Sequence, residues 1–171
     1  VVLITGGPIT IDALGKCRIF HVNSRNITIE NINFINGNVN GQYGDGNLNG
    51  GAIHWNANNG TLINCTFKNN TAEYGGGLYL NSTSSNSKLI NCNFELNNAT
   101  YNGGAIDCNA SYMNLTDTIF ISNYAQYGAA LCREINATNG SGYNNTFRSN
   151  HAYKSGAALG WINATSIKID T

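Results

Sequence analysis

The chain has 171 residues, with nine basic and nine acidic side chains and a formal net charge of zero. Charged residues make up only 11 %. Neither nucleic acid nor an anionic membrane surface is therefore an expected partner, since both need clustered Lys and Arg. Hydrophobic residues reach 42 %, enough to supply the core of one domain. Asparagine occurs 31 times and glycine 20 times, against a single proline, Pro8. Both abundant residues tolerate left-handed backbone, so the chain is expected to turn often rather than lie disordered. No apolar run approaches the roughly 18 residues of a membrane-spanning helix. The chain opens Val1-Val2-Leu3 and stops at Thr171. Residues 1–171 read as one domain, a fragment of a longer repeat array.

Strand-like segments near Ile11 and Ile19-Phe20 open the chain. Five phenylalanines then recur as Phe34, Phe67, Phe94, Phe120 and Phe147, separated by 33, 27, 26 and 27 residues. A small-residue step into an aliphatic residue follows each one. The steps begin at Gly50, Gly75, Gly103, Gly128 and Gly156 and lead to Ile53, Leu78, Ile106, Leu131 and Leu159. A period of this size marks a solenoid of stacked coils. Before each phenylalanine the sequence alternates apolar and polar, as in Ile63-Asn64-Cys65-Thr66-Phe67. That is strand periodicity, and it predicts Ile63, Cys65 and Phe67 facing inward with Asn64 and Thr66 in water. Thr118 and Asn145 hold the later places of Cys65 and Cys92.

Three residues after four of the phenylalanines stand Asn70, Asn97, Asn123 and Asn150, followed two residues on by Ala72, Ala99, Ala125 and Ala152. The Asn column suits a left-handed corner and can bond its copies in a side-chain ladder. A second strand begins at each small-residue step, and no sustained 3.6-residue pattern predicts a helix. The expected fold is all-β: a right-handed single-stranded parallel β-helix of about 27 residues per coil, with coils about 4.8 Å apart in a rod roughly 30 Å long.

Binding candidates lie where the repeat is decorated or broken. Tyr74, Tyr101 and Tyr127 each sit two residues after a corner alanine and are expected to stack along one edge, either as a structural stack that stabilises the turn and binds nothing or as amphipathic contact area for a glycan or protein. The coil of Phe34 carries an insert, Gly41–Asn49, which includes Tyr43 and Asp45. It can be a tolerated surface loop or part of a binding face. Stacking also aligns His54, Tyr79, Asp107 and Cys132, expected as a mixed, solvated outward column. Among the acids (Asp45, Asp107, Asp117, Glu73, Glu95 and Glu134), no carboxylate pair repeats at coil spacing, which is what two-carboxylate catalysis would favour. Cys17, Cys65, Cys92, Cys108 and Cys132 show no Cys-x-x-Cys spacing, which argues against a zinc site. Stacked Cys65 and Cys92 would hold their Cβ atoms near the 4.8 Å coil spacing, beyond the usual disulfide value of about 3.8 Å. The cysteines therefore read as buried free thiols. His21, His54 and His151 have no ligand partners in register and read as structural or surface residues. Asn-x-Ser/Thr sequons occur at Asn26, Asn64, Asn69, Asn81, Asn98, Asn109, Asn114, Asn136, Asn139, Asn144 and Asn163, which is compatible with a glycosylated surface protein.

The Phe-x-x-Asn motifs at Phe67, Phe94, Phe120 and Phe147, with Gly-Gly-Ala-Ile at Gly50 and Gly103, resemble the repeats of chlamydial polymorphic outer membrane proteins. They are equally similar to those of the adhesin-like surface proteins of methanogenic archaea. The resemblance spans roughly residues 19–162 and implies a right-handed β-helix exposed at the cell surface and used for attachment. Its partner would be a surface protein or glycan of another cell, with membrane attachment only through regions outside this fragment. The chain lacks the C-terminal transporter barrel of the bacterial proteins, and its last two Gly-Gly steps become Gly-Ala. The expectation is an extracellular adhesin-like module with no cofactor, no metal and no catalytic residues. The alternatives are a carbohydrate-active β-helix enzyme (a polysaccharide lyase or hydrolase) or a purely structural stalk.

Overall fold

A computed structural model describes residues 2–4, 7–40, 47–135, 137–161 and 165–170, and every regular element among them is a β-strand. The strands form four sheets in which each strand pairs with its equivalent one coil away, always in parallel. The result is a β-solenoid of about five turns with roughly 27 residues per turn, as the repeat predicts. One sheet carries the phenylalanines, from Ile9–Asp12 through Thr66–Lys68 to Thr146–Arg148. A second follows the glycine steps, from Phe20–Val22 through Leu78–Leu80 and Ile106–Cys108 to Leu159–Trp161. A third contains Ile27–Glu30, Thr61–Ile63 and Lys88–Ile90. The fourth, an edge sheet, comprises Thr71–Tyr74, Asn98–Asn102, Tyr124–Tyr127 and His151–Ser155.

The phenylalanine ladder is the spine of the core. Phe34, Phe67, Phe94, Phe120 and Phe147 are in register, with ring centroids 4.9, 4.5, 5.2 and 5.0 Å apart. The spacing follows the strand separation, so one residue type at one phase yields a continuous aromatic stack. Phe34 through Phe120 are fully buried, and Phe147 packs against the core at the C-terminal end.

The asparagine ladder also forms, but not as a left-handed corner. Asn70, Asn97 and Asn123 are fully buried, and none has positive φ. The left-handed residue is the one before each, namely Asn69, Leu96, Ser122 and Ser149, with φ of 57°, 56°, 53° and 55°. This corner turns its own side chain outward and the next one inward. A second left-handed corner at Asn64 and Asn91 corrects the strand reading. It interrupts the alternation, so Leu62 and Leu89 are buried while Ile63 and Ile90 are half-exposed. Asn64 is exposed as expected, and Asn91 Nδ2 donates to Asn64 Oδ1 at 2.7 Å in an external ladder.

The decay of Gly-Gly to Gly-Ala has a conformational explanation. The first glycine of each step has φ between 56° and 71°, a region L side chains rarely adopt, and the second does not. Room for a Cβ does not separate them, since it would come within 2.2–2.7 Å of a carbonyl oxygen at the first and 2.3–2.4 Å at Gly51, Gly76 and Gly104. That glycine is kept in all five steps, whereas Ala129 and Ala157 replace the second. Cys65, Cys92, Cys108 and Cys132 are buried thiols, and Cys17 is an exposed one.

Candidate functional site

The edge sheet is where the repeat count slips. Five residues lead from Asn70 to Gly75 and from Asn123 to Gly128, but six lead from Asn97 to Gly103 and from Asn150 to Gly156. The additional residue is absorbed as a register shift, leaving Asn102 opposite both Tyr74 and Tyr127, and Ser155 opposite Tyr127. Tyr74 and Tyr101 do meet, in a tilted pair with 5.3 Å between centroids and 31° between ring planes. Tyr127 stands apart, with Lys154 Nζ 5.4 Å from its ring centroid. The expected three-tyrosine stack is therefore two tyrosines and a separate third.

Beside Tyr101, the same sheet presents two tyrosines that equal spacing did not predict, Tyr124 and Tyr153. Tyr101 is 40 % exposed, Tyr124 38 % and Tyr153 69 %. His151 bridges the last two, 6.1 Å from the Tyr124 ring and 4.9 Å from that of Tyr153. Tyr101, Tyr124 and Tyr153 are exposed on three successive strands of one sheet but at different register positions, Tyr124 pairing with Asn98 and His151 rather than with either tyrosine. The signal was in the sequence, in the alternation of five- and six-residue spacings.

Tyr43 and Asp45 lie outside the described residues, but the ends of the insert are placed. Asn38 bridges to Thr71 and Asn49 to Tyr74, so the insert leaves and rejoins along the edge sheet. Arg18 secures its return by donating to the carbonyls of Asn47, Asn49 and Gly50 at 2.5, 3.2 and 3.1 Å. The ends of the insert and the tyrosines, separate in sequence, thus share one edge.

The column of His54, Tyr79, Asp107 and Cys132 is in register as expected. It is not a solvated face. His54, Asp107 and Cys132 are all buried and Tyr79 is half-buried. Nor is His21 without a partner in register, since it stacks on His54 at 4.8 Å. The glycine corner supplies the reason. Tyr74 and Asn102 on one side of it line the same cleft as Tyr79, Asp107 and Asn109 on the other, with Asn49, Glu134 and Ile135. The corner is therefore concave toward solvent, and the edge residues cover the column. The cleft holds about 340 Å³. Within it, burial pushes the Asp107 carboxyl well above the usual carboxylate range, and the facing Glu134 adds to the effect. Burial, with a smaller contribution from Asp107, pushes the Tyr79 hydroxyl up to about 12. Glu134 accepts from Asn102 Nδ2 at 2.6 Å. Its link to Asp107 was missed because the two come together through Cys132, which pairs with Asp107 and shares a strand face with the residue two further on.

With this geometry in view, the comparison with known families is specific to one coil. Residues 64–81 match the Chlamydia polymorphic membrane protein repeat. The matched stretch contains Phe67, the ladder residue Asn70, the corner glycine Gly75 and the anchor Leu78. No curated protein and no solved structure gives a match. The match covers 18 of the 171 residues and suggests an outer-membrane or surface location.

Proposed function

We propose that this chain is a segment of a cell-surface, adhesin-like rod, of the kind found in methanogenic archaea as well as chlamydiae, that attaches to a glycan or protein on another cell. The observation that carries this reading is the exposure of Tyr101, Tyr124 and Tyr153 on one edge sheet, whose first strand also pairs with the ends of the insert. Such rings offer large, rigid contact area that stacks on sugar faces and accepts apolar protein surface while the hydroxyls remain hydrated. The repeat matched at residues 64–81 supports the surface setting. Exposed sequons at Asn26, Asn64, Asn69, Asn98, Asn139 and Asn144 would suit a glycosylated exterior. Asn136 and Asn163 lie outside the described residues. A catalytic reading has weaker support, because Asp107, whose carboxyl burial pushes up, is only 1 % exposed.

The test is binding of the folded chain to a glycan array and to intact cells, alongside a Tyr101→Ser, Tyr124→Ser, Tyr153→Ser triple variant. Binding that falls about tenfold or more in the variant, with unchanged circular dichroism, supports the proposal. Binding that is equal in both proteins refutes the role of these tyrosines. No binding to any glycan or cell leaves the stalk as the better reading, and turnover of a polysaccharide would favour the enzyme.

A further inference from the structure

The concave corner gathers three donors from two consecutive coils. Asp107, Cys132 and Glu134 each present one ligand atom, and these atoms all lie within 4.8 Å of one another. Asp107 is 1 % exposed; its carboxyl faces the Glu134 carboxyl and the Cys108 backbone, and neither oxygen receives a hydrogen bond of full geometry from a donor side chain. Buried polar groups are almost always satisfied, and leaving one without a partner costs a few kcal/mol. Two carboxyl groups and a thiol therefore converge at the buried wall of the cleft, which the Asn109 amide also lines beside the Tyr79 hydroxyl. A cation would be held by all three and would offset the repulsion between the two acids.

We infer that Asp107, Cys132 and Glu134 bind one divalent transition-metal ion of the zinc class in a four-coordinate site. The thiolate selects this class, because calcium and magnesium take all-oxygen shells. Zinc bonds to sulfur and oxygen are about 2.0–2.3 Å, which sets donors in a tetrahedron about 3.5 Å apart. The three donors need to draw together by only about 1 Å. Binding releases the thiol and carboxyl protons to solvent. Asn102, donating to Glu134 at 2.6 Å, positions that carboxylate from the next sheet. The ion would join the strands Ile106–Cys108 and Leu131–Arg133 and fix the corner beneath Tyr74 and Tyr79. The Cys-x-x-Cys spacing that marks many zinc sites is not required, because stacking brings the ligands together across coils.

The test titrates cobalt(II), a spectroscopic stand-in for zinc, into the chelator-stripped, reduced chain. The expected result is one equivalent bound, with a thiolate-to-cobalt charge-transfer band and intense tetrahedral d–d absorption, both removed by added zinc. Cys132→Ser should abolish the charge-transfer band. Glu134→Gln, at a half-buried position, should weaken binding about tenfold or more while leaving the circular dichroism spectrum intact. Cys17→Ser, at the exposed thiol, should leave the titration unchanged. The inference is overturned by absence of the band in the folded chain, by its survival in Cys132→Ser, by its loss in Cys17→Ser, or by unchanged affinity in Glu134→Gln. None of these readouts depends on whether the rod is an adhesin.

Discussion

Replacing Asn97 with alanine probes the ladder at its most fully bonded point. Asn97 Nδ2 donates to the Phe67 carbonyl at 2.9 Å and to Asn123 Oδ1 at 3.0 Å. Asn97 Oδ1 accepts from the Asn70 backbone N–H at 3.1 Å and from Asn70 Nδ2 at 2.9 Å. Two donations and two acceptances are the whole capacity of a side-chain amide. After truncation Asn70 Nδ2 still donates to the Phe34 carbonyl, and Asn123 Oδ1 still accepts from the Asn97 backbone. The buried Asn70 N–H loses its partner, which by itself costs about 1–3 kcal/mol. Three further bonds at about 0.5–1.5 kcal/mol each, offset by no longer burying an amide, bring the expected loss to about 3–4 kcal/mol. For a chain of this size that corresponds to a fall in Tm of about 6–16 °C. Urea denaturation followed by circular dichroism, with an unchanged m-value, measures the loss. The companion Asn97→Asp keeps both acceptances but cannot donate when ionised, so it should be destabilised at neutral pH and partly recover on acidification. A loss below about 1 kcal/mol in Asn97→Ala would show that the ladder is incidental to stability, and the reasoning would fail.

Three other outcomes are expected. Gly103→Ala forces a side chain onto φ 64° with its Cβ 2.2 Å from the Ile106 carbonyl oxygen; thermal melts should show a loss of at least about 2 kcal/mol. Leu96 is an exposed leucine at φ 56°, so Leu96→Asn should stabilise by about 0.5–1 kcal/mol, whereas Asn91→Ala at φ 51° should cost about 1–2 kcal/mol in the same assay. The buried Asp107 carboxyl is raised by burial and by Glu134, so the folded chain holds a proton that the unfolded chain gives up near pH 3.8. With chelator present, stability should fall as pH rises from there toward the raised folded value, by at most about 1.4 kcal/mol per pH unit from this group. Asp107→Asn should flatten that slope and be the more stable protein at neutral pH; an unaltered slope would contradict it.

The sequence by itself determined the solenoid, its period and the identity of its ladders. Parallel stacking places equivalent residues of successive coils side by side, so a repeat in one dimension becomes contact in three. Phe34 to Phe147 and Asn70 to Asn150 were legible for that reason. The tertiary structure decided which way side chains face at the corners. A left-handed residue resets the alternation of a strand, so Leu62 rather than Ile63 enters the core, and the corner is Asn69 rather than Asn70. It also decided the edge. One additional residue between Ala99 and Gly103 sets Asn102 opposite Tyr74 and leaves Tyr101 exposed at the shift in register. The grouping of Asp107, Cys132 and Glu134 belongs to the tertiary level as well. It depends on strand pairing between coils and on a glycine corner bent so that two sheets close over one cleft, and a list of spacings along the chain does not encode that angle.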